Sequence, residues 1–179
     1  RAALVDVTDA RSPAAFAAML RAYPGIAELE LVECPGTFDD HANLRLGRMI
    51  RAAGLATRVP ANGSVRSGAV ELFLAGATRR IDEGAEFAVH AWQDEDGRQA
   101  SDFAASDPDN AKYIAYYREM GMSADEARAF YAMTNSAPFE SALWLDAGQM
   151  RGWVRTDGVP ARAAGAIRFA GLDSAPLLK

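Results

Sequence analysis

The sequence is short of several residue types, and each shortage removes a class of function. Cys34 is the only cysteine in 179 residues, which excludes an intrachain disulfide and any cysteine-rich zinc framework. Lysine occurs only as Lys112 and Lys179, no basic block appears anywhere, and the net charge is −5, so nucleic acid is not an expected partner. No apolar run reaches the roughly 18 residues that a membrane span requires. The first residue is Arg1 rather than methionine, which leads to the expectation of a processed segment, such as a signal peptide or anchor, ahead of it.

What remains is the composition of a globular chain, with 50% hydrophobic and 24% charged residues, enough apolar side chain for one well-buried core. Strand and helix patterns alternate along it. Ala2 to Val7 reads as a strand, and Ser12-Pro13 opens a helix that Pro24-Gly25 stops. Leu29 to Val32 is a strand running into Cys34-Pro35-Gly36-Thr37, and a helix follows from about Asp39 to Ala53. Ala56 to Val59 is a strand, Asn62 to Gly68 is turn-rich, and Ala69 to Leu74 forms a helix apolar nearly all round and therefore central. Strands at Arg79 to Ile81 and Glu86 to Ala91, helices at Pro108 to Met120 and Ala124 to Ala132, a helical turn at Ala147 to Arg151 and a strand around Val154 complete the reading. This pattern predicts an α/β fold with a mostly parallel sheet, whose sites lie beyond the carboxyl ends of the strands.

Three strand-to-loop junctions supply candidate chemistry: Pro35-Gly36-Thr37, Ser67-Gly68 and His90. A serine hydroxyl needs a base to take its proton, and a histidine titrating near neutrality is the usual base. Glycine loops and helix N-termini offer backbone N–H groups to an oxyanion. Each has a plainer reading: Ser67 as a helix N-cap, His90 as a core histidine, Pro35-Gly36 as an ordinary turn. His41 beside Asp39-Asp40 reads as a solvent-facing residue at a helix start, and Asp94 to Gly97 as a solvated turn lacking calcium-loop spacing. The aromatic set Tyr113, Tyr116, Tyr117, Phe130 and Tyr131 reads first as core and second as the lining of a substrate groove.

Taken in order, Glu33 to Thr37, Arg51 to Pro60, Val65-Arg66-Ser67-Gly68-Ala69, Phe73 to Gly76 and Ala88-Val89-His90-Ala91-Trp92 resemble the Clp protease proteolytic-subunit-like group of the Clp-protease/crotonase superfamily. The resemblance is to a stand-alone bacterial branch often assigned to the periplasm, and it implies a periplasmic or secreted location. It covers roughly Ala2 to Thr156, and the chain divides on this reading into a domain over 1–160 and a C-terminal tail over 161–179. The fold it implies is a spiral of ββα units with a mostly parallel sheet flanked by helices.

The resemblance implies a serine hydrolase, a peptidase, with Ser67 as nucleophile, His90 as general base, and the N–H groups of Gly36 and Gly68 as the oxyanion hole. The third member would come from a helical region about 50 residues past the histidine, where Glu140 is the nearest carboxylate; Asn135, Ser141 and Asp146 are the neighbouring substitutes. The family commonly carries Ser-Pro-Gly-Gly in its first loop, whereas this chain has Cys34-Pro35-Gly36-Thr37, and threonine does not easily adopt positive φ. The expected partner is a peptide or protein substrate, homo-oligomers are implied, and no cofactor is expected. The alternatives are a crotonase-like acyl-CoA enzyme and a catalytically degenerate assembly module. A serine–lysine dyad would have to draw on Lys112, the only internal lysine.

Overall fold

Alternating side chains along one central strand organise the molecule. The computed structural model describes residues 1–156 and the backbone of 168–171. In β2 (Glu28–Cys34), Leu29 and Leu31 point into the core while Glu28 and Glu30 face outward, the period-two pattern of a pleated strand. The outward acids meet arginines from neighbouring strands: Arg58 reaches Glu30 at 3.0 Å, and Arg80 reaches Glu28 at 3.3 Å.

β1 (Ala2–Val5) pairs with one edge of β2 in parallel. The other edge is shared by two short strands in succession. β3 (Ala56–Val59) pairs with Glu28 to Glu30, and β4 (Ser64–Arg66) pairs with Glu33 and Cys34. β5 (Arg79–Ile81) extends the sheet from β3, and β6 (Glu86–Val89) extends it from β4, again in parallel. β7 (Ser141–Asp146) then adds to β6 in antiparallel sense, and β8 (Arg168–Gly171) to β7 likewise. The result is the expected mostly parallel α/β fold, a curled sheet flanked by helices.

The helices are α1 (Ser12–Ala22), α2 (Asp40–Ala52), α3 (Ala69–Leu74), α4 (Pro108–Glu119), α5 (Ala124–Thr134) and α6 (Ala147–Trp153). α3 is buried along its whole length, as its apolar sequence predicts. α2 and α4 approach closely because Gly47 has no side chain: a Cβ there would lie 1.8 Å from the Tyr116 hydroxyl oxygen. That hydroxyl donates to the Glu71 carbonyl oxygen at 2.7 Å and ties α4 to α3. Among the described residues, no helix is long and apolar enough to cross a membrane.

Four local expectations are corrected. The turn-rich stretch before Ser67 contains β4, whose single apolar residue Val65 gives little pattern but is fully buried between β2 and β6. The region of Glu140, expected to be helical, leads into β7, where Leu143 and Leu145 fill the core face. Val154 is not in a strand; it closes α6, its N–H donating to the Met150 carbonyl at 3.2 Å. Ser12 is the first residue of α1 rather than its cap, because its hydroxyl is engaged with Asp9. The expected boundary at residue 160 and most of the tail fall at 157–167 and 172–179, outside the described residues.

Candidate active site

Strands β2, β4 and β6 are adjacent and parallel, so their carboxyl ends open on one edge of the sheet. Cys34 pairs with Val65, and Arg66 with Ala88. Gly36 and Ser67 thus each lie two residues past a paired position on neighbouring strands, and His90 follows two residues after Ala88. The topology gathers the three predicted junctions at one place.

Ser67 sits at the turn from β4 into α3 with φ of 49°, in the left-handed region that non-glycine residues rarely adopt. Its N–H donates to the Ala88 carbonyl at 2.9 Å, and its own carbonyl accepts from Val70 N–H at 2.9 Å. The N-cap of α3 is Gly68, not Ser67, and no side chain caps this helix. The serine is therefore not spent on capping. The Gly68 carbonyl accepts from the Asn43 amide at 2.6 Å, while the Asn43 amide oxygen accepts from Thr8 Oγ1 at 2.9 Å.

The first loop keeps its glycine where positive φ demands one. Gly36 has φ of 141°, and Thr37 is not among the residues with positive φ. Thr37 is fully buried; its hydroxyl bonds to the Thr8 and Asp39 carbonyls and accepts from Asp39 N–H, each at 3.2 Å. Its methyl packs on the neighbouring loop, where a Cβ on Gly68 would come within 2.6 Å of it. The threonine thus clamps the two glycine loops together without needing glycine's conformational freedom.

His90 is 9% exposed, and its ring meets Phe139 edge-on at 5.0 Å. Its Nδ1 lies 2.8 Å from the Ala91 carbonyl oxygen, a contact that fixes the tautomer with the proton on Nδ1. The cleft beside it holds about 520 Å³ of empty space, including solvent at its mouth, and is lined by Ser67, Gly68 and His90 among others. Gly36 is buried and is not in the lining of this cleft. Glu140 lies elsewhere: it is exposed, and its carboxylate accepts from the Gln99 amide at 3.3 and 3.4 Å. Of the named substitutes, Asn135 lines the cleft and Asp146 caps α6 through Gln149 N–H at 2.8 Å.

The aromatic set divides by role. Tyr113, Tyr117 and Tyr131 line the cleft, while Tyr116 and Phe130 are fully buried in the core. His41 is exposed, and Asp94 to Gly97 forms a solvated turn closed by Arg98. Lys112 is tied to Asp109 at 2.8 Å, with its ammonium over the Trp92 and Tyr113 rings.

Two cleft residues escaped the sequence reading. Glu71, on α3 one turn beyond Ser67, is buried, and removal from water raises its carboxyl to a pKa of about 7. It accepts from the Tyr117 hydroxyl at 2.7 Å. Asp40, at the start of α2, accepts from the Tyr113 hydroxyl at 2.8 Å. The available signal for Glu71 was a lone acid in an otherwise apolar helix, since such a residue is seldom buried without a partner.

No family model and no curated protein matches the sequence. Solved structures do share its fold. A lysine-to-alanine mutant of the 1510-N membrane-bound stomatin-specific protease, in complex with a substrate peptide, is 14% identical with a TM-score of 0.55, over 98% of this chain and 87% of that one. A serine-to-alanine mutant of the same protease is 13% identical with a TM-score of 0.54, over 81% of this chain and 70% of that one. At these identities the likeness is one of fold: this chain has the α/β fold of those serine proteases.

Proposed function

We propose that the protein is a serine hydrolase that cleaves peptide bonds. The observation that carries this reading is Ser67, held at φ of 49° on the turn into a buried helix and lining one cleft with His90. A backbone strained in this way is found where a side chain must be presented to a site. The solved structure of a similar fold with a substrate peptide supports a peptide as the substrate class.

In this mechanism the Ser67 hydroxyl oxygen attacks the scissile carbonyl carbon while His90 Nε2 takes its proton. The tetrahedral oxyanion is held by the N–H groups of Gly68 and Gly36. Hydrogen bonds within the described backbone use the N–H of Ser67 and Val70 but not those of the two glycines, which supports this assignment. Collapse breaks the C–N bond, and the imidazolium returns its proton to the leaving amine. Water, deprotonated by His90, then releases the acyl group from Ser67. The Ala91 carbonyl takes the orienting part that a triad carboxylate would have, and Glu140 stands outside the reaction. A fluorophosphonate probe tests this directly: labelling is expected for the natural chain and not for Ser67→Ala, and equal labelling of the two would overturn the assignment.

A further inference from the structure

The hydrolase reading leaves two carboxyl groups in the cleft without a task. Asp40 and Glu71 reach it from α2 and α3, and each accepts one tyrosine hydroxyl, leaving further lone pairs for another donor. Among the described residues, no lysine or arginine lines the cleft and neither acid belongs to a salt bridge. By contrast, Glu28, Glu30, Asp82 and Glu119 all meet arginines. A second observation is independent of the acids. The Asn135 amide oxygen, in the lining of the same cleft, is shielded from solvent and receives no hydrogen bond from the described residues, while its NH2 group donates to the Tyr131 carbonyl and Thr134 Oγ1. A buried acceptor without a donor is costly and is met by a water or a ligand that supplies one. Beside the acids, Tyr113 stacks on Tyr131 at 5.9 Å and carries the Lys112 ammonium over its ring, so Tyr117 and Tyr131 complete the aromatic lining.

Carboxyls without a salt-bridge partner beside aromatic rings suit one kind of group, an organic cation. We infer that the cleft takes the basic side chain of a lysine or arginine in the peptide substrate, and that Asp40 and Glu71 set this specificity. The inference rests on the cleft being the substrate site of the proposed hydrolase. Glu71 is half-protonated near neutrality, its proton favoured by burial and by the Asp40 charge, so an arriving cation displaces that proton. The charged and titratable groups around it are Asp40, Tyr113, Tyr116 and Tyr117, with His90 in the lining of the same cleft and no Lys or Arg in contact with its carboxyl among the described residues.

The test uses calorimetric titration of the full Ser67→Ala chain with N-acetyl-lysine amide, N-acetyl-arginine amide and the uncharged, near-isosteric N-acetyl-norleucine amide. The basic ligands are expected to bind about tenfold or more tightly than norleucine, which corresponds to one good charge-assisted contact. Their binding at neutral pH should release protons, seen as a heat that varies with the buffer's ionisation enthalpy. Glu71→Gln, which keeps an acceptor for Tyr117, should abolish the proton release and most of the preference. Asp40→Asn, at a partly exposed residue, carries the same comparison if Glu71→Gln does not fold. Equal affinity for lysine and norleucine, or an unchanged preference in both variants, overturns the inference. Because these readouts are of binding, a preference without Ser67 labelling defeats the hydrolase alone, and labelling without a preference defeats the specificity alone.

Discussion

His90 Nδ1 lies 2.8 Å from the carbonyl oxygen of Ala91, its neighbour in the chain, while the carboxylate of Glu140 is engaged with Gln99. A backbone carbonyl can fix an imidazole tautomer, but it carries only a partial charge and stabilises an imidazolium less than a carboxylate does. Glu140→Gln is accordingly expected to leave the rate of fluorophosphonate labelling within roughly threefold of the natural chain. His90→Ala, which removes the base itself, should lower it by about a thousandfold or more. A comparable loss in both variants would place Glu140 in the site after all.

The φ of 49° at Ser67 separates two substitutions that both remove the hydroxyl. Glycine adopts this conformation freely, whereas alanine's Cβ strains it by about 1 kcal/mol. Ser67→Gly should therefore be about as stable as Ser67→Ala or up to about 1 kcal/mol more stable, despite the greater flexibility of its unfolded chain. Chemical denaturation of the two variants decides it. A clearly more stable alanine variant would show that the turn is not strained.

Legibility in the sequence followed the strength of the local pattern. β2 and α3 could be read because alternation in one and unbroken apolarity in the other are properties of the chain itself. β4 could not, since three residues with one apolar centre carry no period, and it is a strand only because β2 and β6 flank it with open ladders. Ser67, Gly36 and His90 could be read as neighbours because each follows closely on the end of a strand. Asp40 and Glu71 were missed because their significance is tertiary: a helix-start acid and an acid within an apolar helix meet in one cleft only after α2 and α3 pack together. Glu140 was chosen on distance along the chain, which says nothing of where its side chain turns.

Cys34 is fully buried, its thiol donates to the Leu4 carbonyl at 3.2 Å, and desolvation pushes its pKa up to about 12. The thiolate is the reactive form, so the folded protein should resist thiol reagents at neutral pH. Modification by a chromogenic disulfide is expected to wait on unfolding and to proceed promptly in denaturant. Rapid stoichiometric reaction of the native chain would contradict the packing of β1 against β2 at this point.

Glu71 gives stability a pH dependence with a definite sign. Its pKa rises from the ordinary 4.5 to about 7 on folding, so between these values the folded chain binds more protons than the unfolded one. The stabilisation that comes from holding this proton is complete below pH 4.5 and is lost as pH rises through about 7. Desolvation is the leading cause, and the Asp40 charge acts in the same direction; the Tyr117 hydroxyl opposes both by favouring the ionised form. The shift corresponds to about 3 kcal/mol across that interval. Urea denaturation of the natural chain and of Glu71→Gln at several pH values from 5 to 8 isolates this contribution, since glutamine keeps the acceptor for Tyr117 and cannot ionise. Stability relative to the variant should fall as pH rises, leaving Glu71→Gln the more stable protein at pH 8. A difference that stays flat over this range would mean that Glu71 titrates as an ordinary exposed acid, and its carboxyl would then not be buried by the packing of α2, α3 and α4.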